Sequence, residues 1–149
     1  MIQIREAKPG DQKEIYLLIK ELAHYEEEPE EVINSEVELY NHLFEEKICH
    51  ALVAEKNNEI IGFALYYMSY STWKGKCLYL EDLYVKENIR KQGVGSQLYN
   101  AVIEVAKSNK VRRMDWQVLD WNQPAIDFYV KHNAQLDNHW INGRLTFEY

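Results

Sequence analysis

The chain has 149 residues, a length that fits one domain with a proper core. Hydrophobic residues make up 46% and aromatics 13%, which excludes a disordered chain. A net charge of −7 disfavours a general nucleic-acid binder and suits a cationic substrate. No apolar run approaches the length of a membrane span, and the opening MIQIREAKPGD does not read as a signal peptide, so a cytoplasmic protein is expected. Cys49 and Cys77 have neither metal-site spacing nor a disulfide framework around them, and they read as reduced, core-packed thiols.

In chain order, residues 2–5 read as a first strand. Pro9-Gly10-Asp11 turns the chain, and Asp11 is placed to cap a helix whose Ile15, Leu18, Leu22 and Tyr25 recur at helical spacing. The acidic run 26–31 ends that helix, and its bulk reads as a solvated loop. A second helix is expected over 35–44. Residues 50–56 and 59–70 read as strands around an Asn57-Asn58 hairpin turn. A third strand of this group runs over 76–85. Next come a helix over 95–109, a strand-like stretch over 113–119 and a short helix over 124–132 with Pro124 near its start. A final hairpin, with strands at 140–141 and 144–148, is expected around Asn142-Gly143. The order β-α-α-β-β-β-α-β-α-β-β predicts a mixed α/β sheet with helices on its faces, in a single domain over 1–149.

The most telling stretch is Cys77 to Ser96. A strand-like run, CLYLEDLYV, passes through a polar turn into Arg90-Lys91-Gln92-Gly93-Val94-Gly95-Ser96 and then a helix. Strand, glycine-rich turn and helix is a layout that binds pyrophosphate. Glycines let backbone N–H groups approach phosphate oxygens, and the helix N-terminus adds its positive end. Arg90 and Lys91 add cationic side chains. The spacing is neither a Walker loop nor a full G-x-G-x-x-G. The competing reading is a surface turn whose glycines merely start a helix.

Glu81 and Asp82 are adjacent in that strand. Adjacent strand residues face opposite sides, so at most one is expected to point into a given cleft. A carboxylate in an apolar strand is costly unless it is paired or working, and desolvation raises its pKa toward that of a general base. Glu81 is the favoured functional residue; Asp82 reads equally well as a structural ion pair. Asn122, ahead of Pro124, is an N-cap or a ligand contact from the same loop. Tyr129 is a packed core tyrosine or, facing a cleft, a proton donor. The five histidines form no H-x-x-x-H pair, so no metal site is expected, and no nucleophile elbow is present.

The R-x-x-G-x-G turn, together with IKELAHYE (19–26), LVAE (52–55), GFALYY (62–67), W-x-GK (73–76), LYLEDLYV (78–85) and WNQPAIDFY (121–129), resembles the GNAT family of N-acetyltransferases. Within it, the chain is most similar to the diamine (spermidine/spermine) acetyltransferases. The resemblance implies a mostly antiparallel sheet of six or seven strands, about four helices, and a V-shaped splay between the fourth and fifth strands that holds acetyl-CoA. It implies pantetheine contacts along the backbone of Leu83, Tyr84 and Val85, and pyrophosphate on Arg90, Lys91, Gln92, Gly93, Val94, Gly95 and Ser96. Asn122 would contact the cofactor. Glu81 matches the base, acting directly or through water, and Tyr129 the general acid. Tyr25, Glu26, Trp73 and Asp82 match positions that line the amine pocket. A homodimer is also implied.

The expected activity is acetyl transfer to a primary amine of a small polyamine, by direct attack in a ternary complex. Thialysine or another small amine is the alternative acceptor, and a non-catalytic acetyl-CoA sensor is the rival of a different class. Three positions depart from the pattern: Lys91 and Asn133 replace usual glycines, and Ala125 a common serine. The chain also ends at Tyr149, earlier than animal members, which implies loss of an acceptor contact from their C-terminal tail.

Overall fold

A computed structural model describes residues 1–149, which divide into two compact units, Met1–Gln117 and Val118–Tyr149. The first unit holds one five-stranded sheet in the order β1 (Gln3–Glu6), β2 (His50–Lys56), β3 (Glu59–Ser71), β4 (Gly75–Val85), β5 (Met114–Asp115). The first three pairings are antiparallel and β4–β5 is parallel. The β2–β3 turn follows from its residues. Asn57 and Asn58 both take positive φ, 52° and 63°, which is the twist a two-residue hairpin needs.

Three helices cover the sheet: α1 (Gln12–Tyr25), α2 (Glu36–Tyr40), which continues as a π-helical turn through Glu45, and α3 (Val94–Ser108). Ser35 caps α2, accepting a hydrogen bond from the Glu38 N–H at 3.1 Å. Ile15 and Leu18 of α1 and Leu39 of α2 are buried with Val53, Phe63, Leu65 and Tyr84 on one face. Strand alternation turns Gly62 and Ala64 to the opposite face. There a side chain at Gly62 would meet Leu98 of α3, and it would also approach the Tyr84 carbonyl oxygen to 2.9 Å, so only glycine fits. Cys77 is fully buried and Cys49 half-buried against the core. No helix is long and apolar enough to cross a membrane.

The second unit contains α4 (Gln123–Lys131). It closes with Asn133 at φ 67°, its N–H donating to the Val130 carbonyl, while the Ala134 N–H donates to the Tyr129 carbonyl. Asn therefore supplies the left-handed turn in place of glycine.

Three expectations are corrected. Asp11 does not cap α1 with its side chain. Arg5 (2.7 Å) and the Lys8 N–H (2.8 Å) hold its carboxylate instead. The fifth strand is two residues long rather than seven, because it pairs with β4 only at Leu78–Met114 and Tyr79–Asp115. The C-terminal hairpin is absent, leaving five strands rather than six or seven. Trp140, Ile141, Leu145 and Phe147 are exposed, and an isolated two-stranded hairpin is marginal in water.

Candidate active site

Strand β4 carries the chemistry, and a bulge decides how. Asp82 pairs with Leu65 and Leu80 with Tyr66, so Glu81 is an extra residue opposite no partner on β3. A bulge breaks the alternation that would send Glu81 and Asp82 to opposite faces. Glu81 is exposed and Asp82 half-buried. Burial first, then the charges of Glu81 and Glu26, push the Asp82 carboxyl up to about 7. Glu26, just past α1, is likewise raised by burial and by Glu81. Three carboxylates, two from the bulge and one from the end of a helix, thus share one field. The carboxyl that burial raises most is that of Asp82, not the Glu81 expected from the strand pattern.

The end of α1 is firmly set. Glu27 adopts φ 66°, its N–H donates to His24, and the Glu28 N–H donates to Ala23. That closure fixes Tyr25 and Glu26 at the helix end.

Beyond Leu80, β4 has no strand beside it on the β5 side, since the two strands pair only at Leu78 and Tyr79. This open edge at Leu83, Tyr84 and Val85 leads into the glycine turn. Lys91 and Gly93 in that turn have left-handed φ, 70° and 81°. Gly93 immediately precedes α3, whose first turn includes Gly95 and Ser96, and Val94 is buried beneath it. Lys91, Gln92 and Gly93 are exposed. An unpartnered strand edge, an α3 N-terminus and two cationic residues form a donor set that fits a pantetheine and its pyrophosphate. Arg90 is already engaged: its Nε donates to the Val85 carbonyl at 3.0 Å, and its guanidinium lies over the rings of Tyr25 (4.8 Å) and Tyr84 (5.2 Å). A cavity of about 560 Å³ opens beside these rings, lined by Lys20, Glu21 and His24 of α1 and by Glu87.

Trp73 is not brought to this cluster. It lies in the β3–β4 turn, 81% exposed. Asp82 is seven residues along β4 from Gly75, a span of roughly 23 Å at about 3.3 Å per residue. In the second unit, Asn122 is buried and caps α4, accepting from the Ala125 N–H at 3.4 Å. Tyr129 is buried in α4, edge-on to Phe128 at 5.4 Å.

The bulge at Glu81, the left-handed Lys91 and the Tyr25–Arg90–Tyr84 stack were not foreseen from sequence. The run of alternating residues through Glu81-Asp82 gives no sign of an extra residue. The two tyrosines of the stack are far apart in the chain, so no local spacing reveals it.

The Acetyltransferase (GNAT) family matches residues 14–134, and the chain belongs to that family. It is 44% identical over 143 residues to thialysine N-epsilon-acetyltransferase of Bos taurus, covering 90% of this chain and 84% of that protein. It is 34% identical over 140 residues to spermidine/spermine N(1)-acetyltransferase-like protein 1 of Homo sapiens, covering 89% of this chain but 20% of that longer protein. Among solved structures, an aminoglycoside acetyltransferase from an uncultured soil metagenomic sample superposes with a TM-score of 0.82. That match covers 99% of this chain and 97% of the other at 20% identity, a likeness of fold alone. The protein is an N-acetyltransferase, which sets aside the sensor reading.

Proposed function

We propose that the protein moves an acetyl group from acetyl-CoA to the side-chain amine of a thialysine-like acceptor, by direct attack. The acceptor reading rests on the 44% identity to a thialysine acetyltransferase over nearly the whole chain. It replaces the polyamine as the first expectation. A polyamine remains the second reading, supported by the three clustered carboxylates and the spermidine/spermine-like relative.

Acetyl-CoA supplies an activated thioester when bound. The chain's own residues do the rest. Glu26 and Asp82 attract the ammonium group of the acceptor. A primary ammonium titrates near ~10.4, so it must lose a proton before it can attack. Glu81, exposed on the bulge, takes that proton directly or through water. Asp82, with its carboxyl at about 7, is a second group able to accept a proton at neutral pH. The turn Arg90–Ser96 holds the pyrophosphate, with Lys91 adding a charge. The backbone edge at Leu83, Tyr84 and Val85 aligns the pantetheine. Tyr129 gives its phenolic proton to the departing sulfur, and Asn122 steadies the loop ahead of it.

The test is an acceptor panel read by thiol release: thialysine, spermidine, 1,3-diaminopropane and propylamine at low and high salt. Thialysine should give the highest kcat/KM. If spermidine leads, with an advantage that shrinks in salt as screening requires, the polyamine reading replaces it.

A further inference from the structure

We propose that Tyr67 and Tyr79 are specificity-determining residues for the acceptor: their stacked rings seat the thioether arm of a thialysine-like amine and deliver its terminal nitrogen to Glu81 and Asp82. The inference deepens the acceptor reading given above and rests on it.

Strand register puts the two rings on one face with Asp82. Phe63, Leu65 and Tyr67 stand at alternate positions of β3, so their side chains share a face. Phe63 and Leu65 lie in the core that α1 and α2 cover. Across the ladder, Leu65 pairs with Asp82 and Tyr67 with Tyr79, and cross-strand partners share that face. Past Leu65 the covered core ends. Neither tyrosine belongs to it, and both are half-buried. The two rings stack on each other, with centroids 5.3 Å apart and planes 28° apart.

The pair adjoins the carboxylates. Glu81 lies two residues along β4 from Tyr79, roughly 7 Å at about 3.3 Å per residue, and Asp82 follows it. Burial first, and then the charge of Glu81, raise both phenols, in keeping with that proximity. Trp73, the aromatic expected in the pocket, sits in the β3–β4 turn, so Tyr67 and Tyr79 supply the aromatic surface beside the carboxylates. Thialysine is lysine with sulfur in place of one methylene, two carbons from the terminal nitrogen. A thioether sulfur makes favourable contacts about 5 Å from an aromatic ring. With the nitrogen drawn to Glu81 and Asp82 by opposite charge, a two-carbon arm leaves the sulfur beside the tyrosine pair. The rings are held by each other and by the ladder, so they need no rearrangement before the amine arrives.

The test is kcat/KM for thialysine and for its ether analogue, which has oxygen in place of sulfur, with saturating acetyl-CoA and thiol release as the readout. The wild type should prefer the thioether by roughly two- to tenfold, the range of a sulfur–ring contact. Tyr67→Leu and Tyr79→Leu should each raise the thialysine KM by roughly fivefold or more, leave the acetyl-CoA KM near wild type, and bring the thioether-to-ether ratio close to one. Each amine keeps its own basicity whichever variant meets it, so a change in the ratio reports the rings. Phenylalanine at either position keeps the ring and should keep the ratio. A pair that only staples the hairpin gives a lowered Tm with the ratio and the thialysine KM unchanged. That result, or an acetyl-CoA KM that rises in step with the thialysine KM, overturns the assignment. If neither leucine variant folds, the wild-type ratio decides, and a value of about one overturns it. These failures leave the acceptor reading intact, whereas a wild type that acetylates neither amine overturns both.

Discussion

Replacing Asp82 with Asn removes the carboxyl furthest from its ordinary range. Burial, and then the charges of Glu81 and Glu26, raise it from 3.8 to about 7. The folded value lies above the unfolded one, so between about pH 4 and pH 7 the native state holds a proton that the unfolded chain has released. Stability contributed by this group is whole below about pH 4, falls as pH rises through the window, and is flat above it. An interval of about 3 units at about 1.36 kcal/mol each sets a ceiling of about 4 kcal/mol. The realised gain is smaller, because Glu26 and Glu81 share the field and relax with it. About half the ceiling, ~2 kcal/mol, is expected for Asp82→Asn above about pH 8. For a chain of this size, that corresponds to a Tm increase of roughly 4–8 °C. Calorimetric melting of both proteins at intervals from about pH 4 to pH 8.5 reads the gap between them. It should open with rising pH and then level off. A gap that is constant with pH, or that closes as pH rises, refutes the reasoning.

Lys91→Gly should raise stability by about 1 kcal/mol, because a side chain at φ 70° is strained and glycine is not. The same change should weaken CoA binding, and melting together with CoA titration would show the opposite signs; a lowered Tm would count against strain at this position. Gly62→Ala should destabilise by about 1–3 kcal/mol, read by urea unfolding, since the added methyl would sit 2.9 Å from the Tyr84 carbonyl oxygen. Tyr129→Phe should lower kcat by roughly 10²–10⁴-fold with acetyl-CoA KM near wild type, and a loss under tenfold would remove the acid role.

Periodicity and turn chemistry were enough to locate most elements. The apolar spacing through Ile15 and Leu18 marks α1, and Asn57-Asn58 marks the β2–β3 hairpin, because both signals are local. The strand–turn–helix around Gly93 and Gly95 is legible for the same reason. Where the sequence reading overreached, the deciding partner was distant. The stretch 113–119 has strand character, yet only Met114 and Asp115 pair, since a strand exists only where a neighbour offers hydrogen bonds. Residues 140–148 carry a local turn signal at Asn142-Gly143, but they form no strand pair.

By itself, the sequence determined the chain's family, the position of the glycine turn and the presence of two carboxylates on β4. Only the tertiary structure decided what those groups are. Pairing with β3 makes Glu81 the bulged residue, which undoes the alternation counted from sequence. Packing against α1 brings Glu26 into the field of Asp82 and Tyr25 onto Arg90. A pKa and a stacked cation depend on charges and rings within a few ångströms, and those neighbours come from segments about sixty residues apart, a separation no local pattern encodes.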